Sequence, residues 1–121
     1  MIKKVLVSCC NKGENDTLKS PGCFLYLVCF ETADIQAVDI GLEKADHGVT
    51  GITRYKGGWL VAVQNNLRRA LGGAPVRLIQ LDEKFESIAQ IDLPGVEDPH
   101  SLLASDSGCY IVSSGNDSVF F

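Results

Sequence analysis

The sequence predicts an all-β protein of antiparallel strands, and three observations carry that prediction. Short apolar runs rich in Val, Ile, Leu and aromatic residues recur along the whole chain, the composition that suits a pleated, packed surface. Clusters of Gly, Asn, Asp and Pro cut these runs apart, as tight turns require. No stretch sustains a helical period over three turns. The one ambiguous segment, Leu67–Leu71, is stopped at once by Gly72, Gly73 and Pro75, which end a helix by backbone entropy and by the missing N–H of proline.

In chain order, Lys4–Cys9 is a β-branched apolar run and reads as a strand. Asn11–Gly22 is polar and aperiodic and reads as a loop. Cys23–Glu31 is nearly all apolar, so a strand buried on both faces is expected. Thr32-Ala33-Asp34 turns into a strand over Ile35–Ile40, and Gly41–Gly48 reads as a polar crossing. Val49–Tyr55 and Trp59–Gln64 form a hairpin about Lys56-Gly57-Gly58. Asn65–Pro75 is a loop inserted before the strand Val76–Leu81. Asp82-Glu83-Lys84 turns into Phe85–Leu93, which alternates enough to be half exposed. After the loop Pro94–Pro99, three strands follow: Ser101–Ser105, Cys109–Ser114 and Ser118–Phe121, divided by Asp106-Ser107-Gly108 and Gly115-Asn116-Asp117.

The chain repeats. Gly58-Trp59-Leu60-Val61-Ala62-Val63 aligns with Gly108-Cys109-Tyr110-Ile111-Val112-Ser113 at an offset of 50 positions, and the same offset brings Ile52 onto Leu102 and Thr50 onto His100. Three units result: 4–40, 49–93 and 101–121, within one all-β domain spanning 1–121. A period near 50 residues with up to four strands is the pattern of a β-propeller blade. Such a blade has two faces to cover, which explains continuous apolar strands such as Leu60-Val61-Ala62-Val63; a sandwich strand facing water would alternate more strictly. About four to eight blades close a propeller, so a partial propeller of about two and a half blades is expected either to be a piece of a longer protein or to associate with further copies. A homo-oligomer is predicted, a dimer by blade count, with Val119, Phe120 and Phe121 and the strand Lys4–Cys9 at the contact. A small β-sandwich or barrel is the alternative architecture.

The Gly-x-(aromatic)-hydrophobic strands resemble the NHL-type and gluconolactonase-like propellers. The opening Val-Leu-Val-Ser-Cys-Cys-Asn, the Asp-Pro-His-Ser-Leu-Leu stretch and the closing Val-Ser-Ser-Gly-Asn-Asp-Ser-Val are similar to repeats of uncharacterised bacterial propeller proteins. The resemblance implies an architecture and, for the lactonase-like members, a divalent metal that activates water for ester hydrolysis. Positions that match such ligands are Asp46, Asp98, Asn65 and Asn116, short of a full set.

Composition narrows the partners. The 121 residues carry a formal charge of −4, and basic residues cluster only at Lys3-Lys4 and Arg68-Arg69. A nucleic-acid partner needs a basic face to neutralise phosphate, so none is expected. No apolar run reaches the ~18 residues of a membrane span. An odd count of five cysteines, with no export signal, reads as reduced thiols and a cytoplasmic location. The cysteines read first as small buried hydrophobes; for the alternative of a reactive thiol, Cys9 and Cys10, beside polar Asn11-Lys12-Gly13, are the candidates.

Candidate site residues are few. The two histidines occur in Asp46-His47-Gly48 and Asp98-Pro99-His100, expected in crossings at the mouth of a propeller channel where side chains of different blades converge. Asp46, His47, Asp98 and His100 are therefore ligand-binding candidates, and Asp plus His on two blades suits a divalent metal or an acid–base pair. The competing reading is structural, each histidine capping a turn, and repetition favours it because a packing role recurs with every blade. Trp59 opens a strand, where it packs between blades or lines a surface pocket. Ser101 and His100 are no Ser–His pair, because neighbours on a strand face apart. The expected function is a non-enzymatic binding or interaction module completed by self-association, with a metal-dependent hydrolase as the alternative.

Overall fold

The computed structural model describes residues 3–9, 25–42, 46–65 and 75–121, with the side chains of His47 and Asn65 outside the description. The expected loops Asn11–Gly22 and Asn65–Pro75 fall largely outside these residues, as do Cys10 and Cys23. Within them the chain forms ten strands and no α-helix: β1 (Lys4–Ser8), β2 (Leu25–Cys29), β3 (Ile35–Ala37), β4 (Asp46–Tyr55), β5 (Gly58–Asn65), β6 (Val76–Leu81), β7 (Ser87–Leu93), β8 (Pro99–Ser105), β9 (Gly108–Ser113) and β10 (Ser118–Phe120). They pair as three antiparallel sheets in simple meander order: β1-β2-β3, β4-β5-β6-β7 and β8-β9-β10. The sheets span residues 4–37, 46–93 and 99–120.

The sheets stack face to face with the four-stranded sheet in the middle. Strand alternation sends Val49, Val61, Val63, Ile79 and Leu81 to one face, where they meet Leu25 and Ile40 from the first sheet and its exit. The opposite face carries Leu60, Ala62, Val76 and Leu78, which meet Leu102 and Ile111 of the third sheet and Val96 of the loop before it. The run from Leu60 to Val63 is at most 7% exposed at any position. Burial on both faces is therefore why β5 lacks alternation. Covering a side chain of this size contributes roughly 1.5–3 kcal/mol relative to exposure.

The first strands of the sheets lie together. Val49 N donates to Cys9 O at 3.0 Å, tying β4 to the end of β1. Ala104 N donates to Thr53 Oγ1 at 3.3 Å, tying β8 to β4. Away from that line cover is lost: β7 is exposed at six of its seven residues, more than the half exposure expected. Ile88 and Ile91 of β7 stand 58% and 56% exposed.

The β4–β5 hairpin closes in two residues, Tyr55 pairing with Gly58, and Lys56 and Gly57 both take positive φ (45° and 78°), as a type I′ turn demands. Gly58 is needed for a different reason. A Cβ there would lie 2.0 Å from the Leu81 carbonyl oxygen, so only glycine lets β5 start beneath β6.

Candidate functional site

The histidines are in strands, not in the crossings the sequence predicted. Asp46 pairs with Asn65 and Gly48 with Gln64, so His47 is an extra residue in β4. Pro99 pairs with Ser113 and Ser101 with Val112, so His100 is an extra residue in β8. Bulges of this kind keep a strand going while re-aiming one side chain. They extend β4 back to Asp46 and β8 back to Pro99, which is why a polar stretch belongs to the ladder. The two bulges are not in the same register. His100 stands opposite the Val112–Ser113 step, and 50 positions earlier Thr50 stands opposite Ala62–Val63. His47 lies further along β4, opposite Gln64–Asn65.

Asp46 is committed elsewhere. Its side chain is fully buried, and Oδ2 accepts from Arg77 Nη2 at 2.5 Å, with the Arg77 side chain 16% exposed. The pair spans β4 and β6 across the end of β5. A buried carboxylate requires such a counter-charge, so Asp46 works as an anchor of the sheet.

Asp98 belongs to a second polar cluster, on the third sheet. It takes a left-handed φ of 50°, and its Oδ2 lies 3.3 Å from His100 Nε2, with the His100 side chain 53% exposed. Ser114 Oγ donates to the Asp98 carbonyl at 2.8 Å, and Gly115 N donates to Glu97 O at 3.0 Å. Fully buried Ser113 holds the centre. Its Oγ accepts from Glu97 N at 2.8 Å and lies 2.9 Å from Glu97 O and 2.6 Å from Asn116 Oδ1, two acceptors that share its proton. The Asn116 amide donates to Gly95 O at 2.9 Å. The network staples the loop before β8 to the turn after β9, and that loop delivers Val96 into the core between the sheets.

The potential metal ligands whose side chains are described are engaged by an ion-pair partner, by one another or by nearby polar groups. Among the described residues no three His, Cys, Asp or Glu side chains gather as a ligand set. Asp46 faces a guanidinium, and the Asn116 side chain is used on both its oxygen and its nitrogen. Asp46, Asp98, His100 and Asn116 therefore form no shared ligand set, and the side chains of His47 and Asn65 lie outside the description. Trp59 is half-buried on the first-sheet side of β5. Its ring lies 6.4 Å from Phe85 in a stacked arrangement, and the Arg54 guanidinium sits 4.4 Å from its centroid, so both neighbours pack the indole at the core's edge.

No protein-family model, curated protein or solved structure matches the chain. Among the described residues no helix is long and apolar enough to cross a membrane.

Two surface features remain. A cleft of about 220 Å³ opens between the middle and third sheets, lined mainly by Tyr55, Leu60, Leu78, Gln80, Ile91 and Cys109. It is predominantly apolar and wide open. The second feature is the outward face of the third sheet. Leu103 pairs with Tyr110, and Val112 with Val119, and the Tyr110 and Phe121 rings approach to 4.6 Å. These five side chains make one apolar surface, with Val119 and Phe121 exposed by 66% and 72%. Phe120 departs from the expected contact trio: strand alternation turns it inward, where it packs on the core of Leu60, Leu102 and Ile111.

Proposed function

We propose that the chain is a non-enzymatic interaction module built of propeller-like blades, completed by association with further copies of itself. The observation that carries this reading is the uncovered apolar face of Leu103, Tyr110, Val112, Val119 and Phe121. Contiguous exposed apolar surface marks an interaction site, whereas the central strand β5 of the middle sheet is covered on both of its faces. Side-by-side first strands and meander order support a blade-like arrangement. The buried Asp46–Arg77 pair and the backbone-stapling role of the Asp98 cluster support structural duties for the polar residues. Light scattering on the purified chain tests the reading. Two copies of a 13.1 kDa chain give a 26.2 kDa particle; a 13.1 kDa particle at every concentration, with no tendency to associate, overturns it.

A further inference from the structure

The middle sheet meets its two neighbours through unequal side chains. β5 and β9 open alike, each on a glycine, and the next residue is Trp59 in one and Cys109 in the other, 50 positions apart. Across the hairpin Trp59 pairs with Arg54 and Cys109 with Ala104, the same offset again. Trp59 packs on the core between the first and middle sheets, whereas Cys109 and Ala104 pack on the core between the middle and third sheets. In the first junction the indole fills the rim of the core, with Phe85 stacked at 6.4 Å and the Arg54 guanidinium 4.4 Å from its centroid. In the second junction a thiol and a methyl group stand at the equivalent places, and the cleft of about 220 Å³ opens there. Its floor follows from the register: Leu60, Gln80 and Ala89 form one row, and Leu78 and Ile91 belong to the next. Tyr55 and, from the third sheet, Cys109 complete the lining. Leu60 and Leu78 are 7% and 9% exposed, whereas Ile91 at the mouth is 56% exposed.

We infer that this cleft binds a small, neutral aromatic molecule of one or two rings, which takes in the second junction the place that the Trp59 indole takes in the first. The cleft is on the inward side of the third sheet, so its occupancy does not depend on what covers the outward side. Size, polarity and access agree. An apolar cavity of ~150 Å³ takes up a benzene-sized ring, and the open side of this larger cleft admits a ligand from solvent. No charged side chain among the described residues lines it, and burial raises the Cys109 thiol, which keeps it uncharged near neutral pH. An ionised ligand would lose hydration here without gaining a counter-charge. A few polar groups orient a ligand in an apolar pocket, and Gln80 supplies them. Its side chain lies on the cleft side of β6, in the row of Leu60, and its carboxamide makes no hydrogen bond among the described residues. A ring lying against Leu78 and Ile91 covers that amide, and an N–H or O–H on the ring gives it a partner.

Indole is the probe, being the group that fills the first junction. Cys109 lies in the cleft and Cys29 on the first sheet, so alkylation by iodoacetamide, read by peptide mass mapping, reports occupancy with an internal control. With indole well above its Kd, the Cys109 rate is expected to fall several-fold while the Cys29 rate stays as it was. An unchanged Cys109 rate, or equal slowing of both thiols, overturns the inference. Cys109→Trp carries the side chain of the first junction into the second and is expected to weaken indole binding by about tenfold or more in equilibrium dialysis, because the cleft is then filled. Binding as tight as the parent's would put indole elsewhere, on the outward face of Tyr110 and Phe121 for instance, and overturns the inference as well. The protection of Cys109 is measured on the parent chain, so it decides the outcome should Cys109→Trp fail to fold. N-Methylindole lacks the N–H and is expected to bind the parent about threefold more weakly than indole or less tightly still, a difference that Gln80→Leu abolishes. Equal binding of the two to the parent overturns the role of Gln80.

Discussion

Thr50 and His100 occupy the same bulge in two successive sheets, each the extra residue opposite an equivalent step of the neighbouring strand. Their surroundings differ. His100 is half exposed beside Asp98, while the Thr50 hydroxyl is buried with no hydrogen-bond partner among the described residues. A buried polar group left unsatisfied carries a desolvation cost of about 1–3 kcal/mol. Thr50→Val keeps the shape and the β-branching and removes the hydroxyl. It is expected to stabilise the fold by about 1 kcal/mol, a rise in melting temperature of roughly 3–6 °C. A fall in melting temperature would show that the hydroxyl is bonded.

Gly51 lets the first strands of two sheets touch. A Cβ at that position would lie 2.8 Å from Leu102 Cγ and 3.5 Å from the Leu102 backbone nitrogen. Leu102 is itself buried in the core between these sheets, so it has little room to yield. Gly51→Ala is expected to destabilise by about 1–3 kcal/mol through overpacking, and Gly51→Val by more. Urea denaturation measures both, and an unchanged midpoint for Gly51→Val would mean that the sheets are not in contact along this line.

Arg77 neutralises a fully buried carboxylate. Arg77→Met strands the Asp46 charge and is expected to cost about 3–5 kcal/mol, whereas Asp46→Leu with Arg77→Met replaces the pair by apolar groups and recovers much of that loss. The double-mutant cycle supplies the check. If the two single losses simply add, the residues are not coupled and the pairing is wrong.

Much of this architecture was legible from local pattern alone. Gly58 and Gly108 marked two equivalent strand starts, Lys56-Gly57 marked the hairpin, and the unbroken run from Leu60 to Val63 foretold a strand covered on both sides. Each signal acts over a few residues, so sequence spacing records it. The bulges did not show: His47 and His100 follow turn-like residues, and only the pairing partners reveal that the ladder runs past them. Nor did the Asp46–Arg77 pair, whose members are 31 positions apart. With the register of β4, β5 and β6 in hand, both residues fall at the same end of the sheet, but no local motif encodes that. Ser113 likewise reads as an ordinary strand serine until the Glu97 loop folds back onto it. Val119 and Phe121 behaved as expected of an open apolar face, and Phe120 did not, because a residue between two outward-facing strand positions must point inward.

The thiols give a prediction that depends on environment rather than position. The sequence pointed to Cys9 and Cys10; Cys9 is exposed at the end of β1, and Cys10 lies outside the described residues. The structure distinguishes two others. The Cys29 thiol is lowered from its ordinary value, chiefly by a hydrogen bond from the Thr32 side chain and then by backbone N–H groups of Thr32 and Glu31, while burial raises the Cys109 thiol. The thiolate is the nucleophile, so a lower pKa means more reactive sulfur at a given pH. As pH rises toward the ordinary thiol range of about 8.5, Cys29 is expected to be alkylated by iodoacetamide well before Cys109, as read by peptide mass mapping across a pH series. The Thr32 hydroxyl also donates to Asp34 Oδ2 at 2.6 Å, so the carboxylate competes with the sulfur for its one proton. Thr32→Val removes that donor and is expected to move the alkylation of Cys29 to higher pH without changing Cys109. If both cysteines of the parent protein react together, or if Thr32→Val leaves the Cys29 profile where it was, the hydroxyl does not support the thiolate.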